Sequence, residues 1–294
     1  MRTDIESATP ALCRIQLANE LRRLRIASEL KANRVCARLI WSPSKLTRLE
    51  GAENTVVEPA DVIALCEIYG AGKEAKKELV EFARVTKEKK DWWQNPEYHP
   101  LITPVFRAFL GLESSASGLL NYESEFVPGL LQTEAYIRAI YQEAHREMTP
   151  DDVERHVAIR MTRQENLLRK PNPLRYTVII NESVLRRRVG SAELMREQLA
   201  HIVKTAEGRA HVRVQVVPFA LGVHPGMNGK FVIFQFDEPT VAPSIVYLES
   251  LADSWVSRKE RYVQRYEDTF RDLQALAPGH QESLGLIKKA IKEF

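Results

Sequence analysis

The stretch WSPSKLTRLEG, residues 41–51, constrains the fold more than any other part of the chain. Ser42 is a helix-capping residue, and Pro43, with its fixed φ and missing N–H, suits the first helical position, so a helix starts sharply here. Upstream, Val35 and Leu39 recur four apart on a helix over 31–39; downstream, Leu46 and Leu49 recur on a helix over 43–49. Little more than Trp41 separates the two patterns. Two short helices joined this tightly bury both apolar edges only by packing at an angle. Ser44, Lys45 and Arg48 then share the face of the second helix opposite its leucines.

The flanking sequence extends the same style. A helix over 12–27 places Ile15, Leu17, Leu21 and Leu24 at roughly helical spacing. Another starts at Pro59 and stops at Gly70, and a fifth over 73–88 carries Ala75, Leu79, Phe82 and Ala83 on one side. Charge singles out this region. Residues 1–50 hold ten Lys/Arg against five Asp/Glu, whereas the rest of the chain holds 32 against 34. Such a concentration is the footprint of a phosphate-binding module. A helix-turn-helix in a basic domain predicts double-stranded DNA as partner, with the second helix in the major groove. On that reading Ser44, Lys45 and Arg48 read bases, Arg48 by a bidentate pair to guanine. Arg22, Arg23, Arg34 and Arg38 track phosphates, as do the early N–H groups of the helix that Ser42 opens.

The string ELRRLRIASELKANRVCARLIWSPSKLTRLEG resembles the XRE (lambda-repressor-like) helix-turn-helix, with its LRxLR, its turn before tryptophan and its closing SRxExG-like run. The resemblance implies that Arg25 and Glu50 pair and tie the first helix to the end of the third. It also marks two departures. The glycine usual in the turn is Ile40, and the glycine usual after the first helix is Glu29; both places favour φ > 0, which strains a β-branched side chain. Cys36 stands where the second helix usually has a small alanine.

VTKEKKDWWQNPEYHPLITP reads as a connector anchored by Trp92 and Trp93. Beyond it the pattern is mixed. Helices are expected at 105–116, 132–146, 150–169, 191–207, 258–276 and 281–293, with Thr149 and Ser257 as caps. Strands are expected at 175–181, 211–219, 229–236 and 244–250. LESSASGLLNYESEFVPGLLQTEAYIRAI, RMTRQENLL, MREQL, VQVVPFALGVHPGMNGKFVIFQF and VYLESLADSW resemble the Scr-type antitoxin-like domain that follows XRE modules in bacterial regulators. That resemblance implies a small partner protein, often encoded alongside, and no chemical activity. VPGLLQTE (127–134) is a partner-binding loop if exposed and a core turn if buried; the core turn is the favoured reading.

The seven histidines, at 99, 145, 156, 201, 211, 224 and 280, are scattered, without metal-ligand spacing. GVHPGMNG lacks phosphate-loop order, and His224 within it reads as a surface residue. Glu182 ends a strand, where a capping or interdomain role outweighs a catalytic one. The three cysteines are odd in number and show no C-x-x-C, which suits small reduced core residues. The first residues lack an apolar h-region, and no run approaches the roughly 18 apolar residues of a membrane helix.

The sequence thus predicts an all-α N-terminal helix-turn-helix domain (1–90), a connector (91–104) and a larger α+β domain (105–294). The expected function is a homodimeric, cytoplasmic, DNA-binding transcriptional regulator with no cofactor, metal, membrane or enzymatic role, whose larger domain binds a small protein. The alternative is that this domain senses a small-molecule ligand, which requires a concave pocket.

Overall fold

Proline and small hydroxyl residues open the helices of the N-terminal region. In the computed structural model, which describes residues 9–52, 56–98, 100–170, 172–237, 244–250 and 254–294, α1 (Pro10–Ala27) starts on Thr9, whose Oγ1 accepts the Leu12 N–H at 3.2 Å. It is followed by α2 (Ala32–Leu39), α3 (Pro43–Glu50), α4 (Pro59–Tyr69) and α5 (Lys73–Glu88). Gly70, at φ 69°, closes α4 in the left-handed conformation. Leu17, Leu21, Val35, Leu46, Leu49, Val62, Leu65, Leu79 and Phe82 form one core, with Leu24, Leu39 and Trp41 packed at its edge. Each such side chain contributes about 1.5–3 kcal/mol by leaving water. Cys13, Cys36 and Cys66 are free thiols within it, and burial pushes Cys13 up to about 12.

These helices belong to one compact unit, comprising the described residues of Met1–Pro96, Phe106–Ser115 and Phe236–Pro243; it includes most of α6 (Pro104–Ser115). Trp93 is buried, and its ring meets Trp92 edge-on at 5.4 Å. Beside them Asp91 accepts a 2.7 Å bond from Arg14 of α1, and both residues are less than one-tenth exposed.

The second unit, Glu97–Val105, Ala116–Gln235 and Ser244–Phe294, is built on a mixed six-stranded sheet. Its strands are β1 (Gly118–Glu123), β2 (Arg175–Asn181), β3 (Val212–Val217), β4 (Phe231–Gln235), β5 (Ile245–Glu249) and β6 (Ser254–Ser257), in the order β3-β2-β1-β4-β5-β6. β1, β2 and β3 run parallel; β4, β5 and β6 pair antiparallel. Between β1 and β2 run α7 (Glu134–Ala144) and α8 (Pro150–Gln164); α9 (Glu182–Arg186) and α10 (Ala192–Gly208) join β2 to β3; α11 (Glu260–Leu276) and α12 (His280–Glu293) follow the sheet. The architecture is α+β, as expected. Two strands and one short helix were not anticipated: β1, the strand between the parallel and antiparallel halves, β6, and α9.

Alternation decides the two faces of the sheet. Tyr122, Ile179, Val217, Phe231 and Ile233 pack beneath Val263, Phe270 and Leu273 of α11. Val178, Ile180, Val214 and Val216, all buried, point to the other side. The outer edge of β3 is covered. The N–H groups of Val214 and Val216 donate to His280 Nδ1 (3.1 Å) and Ser283 Oγ (3.0 Å) of α12, which blocks further strand pairing.

Two helix ends differ from expectation. Ser257 does not cap the following helix; its Oγ accepts the Lys259 N–H at 3.4 Å, and α11 starts behind Lys259. The helix expected over 150–169 ends at Gln164 and tightens into a 3-10 turn over Glu165–Leu167, while Thr149 does cap it, at 3.2 Å from the Asp152 N–H.

Glu123, at the end of β1, lies half-buried near the Lys230–Glu249 ion pair. Burial pushes its carboxyl from 4.5 up to about 7, with Lys230 opposing and Glu249 adding to the rise. The folded state therefore keeps a proton that the unfolded chain releases between those values. Stability from this group is present below 4.5, declines as pH rises to about 7, and is flat above. Glu123→Gln should remove the decline, leaving the variant about 1–3 kcal/mol more stable at pH 7.5 and unchanged at pH 4.5. Denaturant melts at both pH values check this; an equal difference at the two would refute it.

Candidate nucleic-acid interface

α3 is fixed at both ends and along its base. Ser42 Oγ accepts the Lys45 N–H at 3.3 Å and lies 3.0 Å from Ser44 Oγ. Leu46 and Leu49 are each 2 % exposed. At the far end the Arg25 guanidinium gives Glu50 two bonds, at 2.7 and 2.8 Å, and a third to the Leu30 carbonyl at 3.3 Å. The fork joins α1 to α3 and is partly buried, which makes it stronger than a surface pair and holds Arg25 above its usual range.

The outward face of α3 carries Ser44, Thr47 and Arg48, all exposed. Thr47 was missed from sequence, although its position three after Ser44 was signal enough. Its hydroxyl donates back to the Pro43 carbonyl at 3.0 Å. Arg48 has no hydrogen bond or ion pair among the described residues. Lys45 is placed differently. Its Nζ lies 2.9 Å from Asp61 of α4 and 4.0 Å from the centre of the Trp41 ring. Arg22, Arg34 and Arg38 are exposed and lack ion pairs among the described residues, whereas Arg23 is forked onto Glu20 at 2.8 and 2.5 Å.

Among the described residues, three other than glycine have positive φ, and all flank these helices: Glu29 at 55°, Ile40 at 56° and Ala52 at 56°. The turn thus keeps the left-handed backbone despite a β-branched side chain. Ile40 is 94 % exposed and offsets this strain with no packing. A left-handed L-residue costs about 1–2 kcal/mol, and glycine returns part of that through unfolded-chain entropy. Ile40→Gly should stabilise the helical unit by about 1 kcal/mol, read as a later denaturant midpoint. A midpoint that falls would mean the isoleucine is held by contacts the fold does not show.

Residues 16–79 match the family profile of a helix-turn-helix domain, and residues 106–289 match a domain of unknown function, DUF5753. The latter spans more than half of the chain. The chain belongs to the DUF5753 family. Ahead of its DUF5753 region it carries the helix-turn-helix domain of a DNA-binding regulator. No curated protein and no solved structure matches the chain.

In the DUF5753 region VPGLLQTE is a core turn: Val127, Leu130 and Leu131 are buried. Gln198 of α10, fully buried, locks it by accepting the Thr133 N–H at 2.7 Å and donating to the Leu131 carbonyl at 2.7 Å. Glu182 opens α9, pairs with Arg186, and accepts the Phe219 N–H at 2.8 Å, which ties down the loop after β3. His224 is not a surface residue; it is 7 % exposed. His156 stacks on Tyr141 at 4.3 Å, and burial pushes it down to about 4. His99 lies outside the described residues, as do residues 251–253 of VYLESLADSW. Among the described residues, no three His, Cys, Asp or Glu converge as metal ligands, and no helix is long and apolar enough to cross a membrane.

Proposed function

We propose that this chain is a sequence-specific transcriptional regulator of the XRE type, with residues 1–90 binding DNA, 91–104 connecting, and 105–294 regulating. The observation that carries the reading is the exposed face of α3, a helix anchored by its cap, its leucines and the Arg25–Glu50 fork. Rigidity of this kind lets Ser44, Thr47 and Arg48 meet base edges without loss of order on binding. Arg22, Arg34 and Arg38 supply phosphate contacts. Ser42 and the first N–H groups of α3 add one more. Lys45 and Arg23 join by exchanging Asp61 and Glu20 for phosphate, which makes their contribution smaller.

The protein acts as a cytoplasmic homodimer on a two-fold related site, since symmetric operators mirror symmetric readers. Its larger domain is of the Scr-type antitoxin-like kind and binds a small protein encoded beside it. Sheared genomic DNA captured on the full-length protein and sequenced tests the DNA reading. The expected result is a palindromic motif with half-sites about 10 base pairs apart. Enrichment without a shared motif would refute specificity, and a single asymmetric site would refute the dimer. Purification from the native host with mass spectrometry tests the partner, and repeated recovery of the chain alone would remove it.

A small-molecule role for the larger domain is the second reading, favoured by a cleft in its sheet.

A further inference from the structure

The carboxyl ends of β1, β2 and β3 do not close on one another. Between them lies a cleft of about 300 Å³, lined by Ser124 beyond β1, Asn181 and Ser183 at the end of β2, and Phe219 and His224 in the loop after β3, with Tyr122 of β1 as its floor. In open sheets with parallel strands, this is where ligands bind, outside the carboxyl ends and near a change in strand direction. Here β1 is that change, parallel to β2 and antiparallel to β4.

The loop over 218–229 is shaped to descend on Tyr122. Gly226 packs so closely that a Cβ there would come within 2.6 Å of the Tyr122 ring. Gly222, at φ 73°, and Gly229, at φ 125°, supply the backbone reversals on either side. The result buries His224, which meets the Tyr122 ring edge-on with centroids 6.1 Å apart.

Hydrogen bonding then fixes the state of this imidazole. Asn181 Oδ1 accepts the Ser183 N–H at 2.9 Å, so the amide presents its NH₂ to His224 Nε2, 3.3 Å away. Nε2 is thereby an acceptor, and the ring proton sits on Nδ1. Burial holds His224 below the usual histidine range, which keeps the ring neutral. Nδ1 is buried and has no hydrogen-bond partner among the described residues. A buried donor left unmet is costly, and an acceptor in the cleft would satisfy it.

The remaining lining narrows the ligand. Tyr122 stays protonated, since burial pushes it up to about 12, and the serines and the amide are uncharged. Arg187 and Glu125, the charged residues that line the cleft, neutralise each other across 2.8 Å and are half-exposed. Phe219 and Met227 present exposed apolar surface. A charged group brought to this floor would lose water without gaining a counter-charge. We infer that this cleft is a binding site for a small, uncharged, carbonyl-bearing molecule with an apolar body, whose carbonyl accepts the His224 Nδ1–H.

This inference stands independently of DNA reading, and its test contains no DNA. Ligand-observed NMR on the full chain uses benzamide and 2-piperidone as probes, with benzoate and benzylamine as charged counterparts. The two carbonyl compounds should bind and compete with each other, and the charged ones should not. His224→Phe, which keeps the ring and removes the donor, should weaken benzamide about tenfold. Ser124→Phe, which fills the cleft, should abolish binding and keeps the test decisive if His224→Phe fails to fold. Long-range proton–nitrogen correlation of the His224 ring should show the Nδ1-protonated form at pH 7. Absence of carbonyl binding, benzoate binding as well as benzamide, indifference to both variants, or an Nε2-protonated ring would each overturn the assignment.

Discussion

Arg48→Ala should lower the preference for the captured operator over unrelated duplex roughly 5- to 150-fold, the range of one bidentate contact to guanine. Arg48 lies on the exposed face of α3 and bonds to nothing else in the described fold, so its loss should leave the melting curve unchanged. Arg34→Ala makes the contrast. A phosphate contact carries no sequence information, so that variant should weaken all duplexes alike and reduce the slope of log affinity against log salt by about 0.9. Competition binding near 150 mM salt, with operator and scrambled duplex, separates the two. Full affinity and preference in Arg48→Ala would remove this residue from base reading.

Asp91→Ala should destabilise the helical unit by about 3–5 kcal/mol, the cost of breaking a buried pair from one side. The Arg14 guanidinium, 9 % exposed, would keep its burial and lose the carboxylate 2.7 Å away. That is a large share of the 5–15 kcal/mol by which domains are usually stable. Trp41, Trp92 and Trp93 lie in the same unit, so tryptophan fluorescence in denaturant reports its transition. The paired change Arg14→Met with Asp91→Leu should recover part of the loss, because neither member of the pair is then left buried without the other. An unchanged midpoint for Asp91→Ala would show that the pair contributes nothing.

Both predictions rest on features of different visibility. The boundaries of α2 and α3 could be read because their causes are local: Ser42 caps, Pro43 starts, Leu46 and Leu49 point one way. The same holds for Pro59 and Gly70 around α4. The exposed place of Arg48 on α3 follows from spacing alone. Thr47 shares that face, and as an ordinary exposed hydroxyl it carries no sequence mark of its own. Lys45 was placed with Arg48, yet Asp61, sixteen residues on, draws it toward α4, and no periodicity reports such a partner.

β1 illustrates the harder limit. Its six residues, GLLNYE, include Asn121 and show no alternation, because both faces of an inner strand are covered. Its partners are β2, starting at Arg175, and β4, starting at Phe231, so the pairing is wholly non-local. The polar groups are accommodated the same way: Tyr176 Oη donates to Asn121 Oδ1 at 2.9 Å. GVHPGMNG reads as a solvated loop with His224 at its surface. The histidine is buried because Gly226 admits Tyr122 and Asn181 meets its ring, contacts made across 104 and 43 residues of chain.

By itself, then, the sequence determined the helix-turn-helix domain: its caps, its turn, its excess of cationic side chains and the face that α3 turns outward. These follow from backbone preferences and spacing within a few residues, which neighbours in space do not alter. Tertiary structure alone decided which cations are already paired, where Asp91 is buried, which strand links the two halves of the sheet, and that a loop after β3 closes over Tyr122 and buries the His224 imidazole. Those outcomes depend on contacts between segments far apart in the chain, where the free energy comes from packing and desolvation and leaves no period in the sequence to be read.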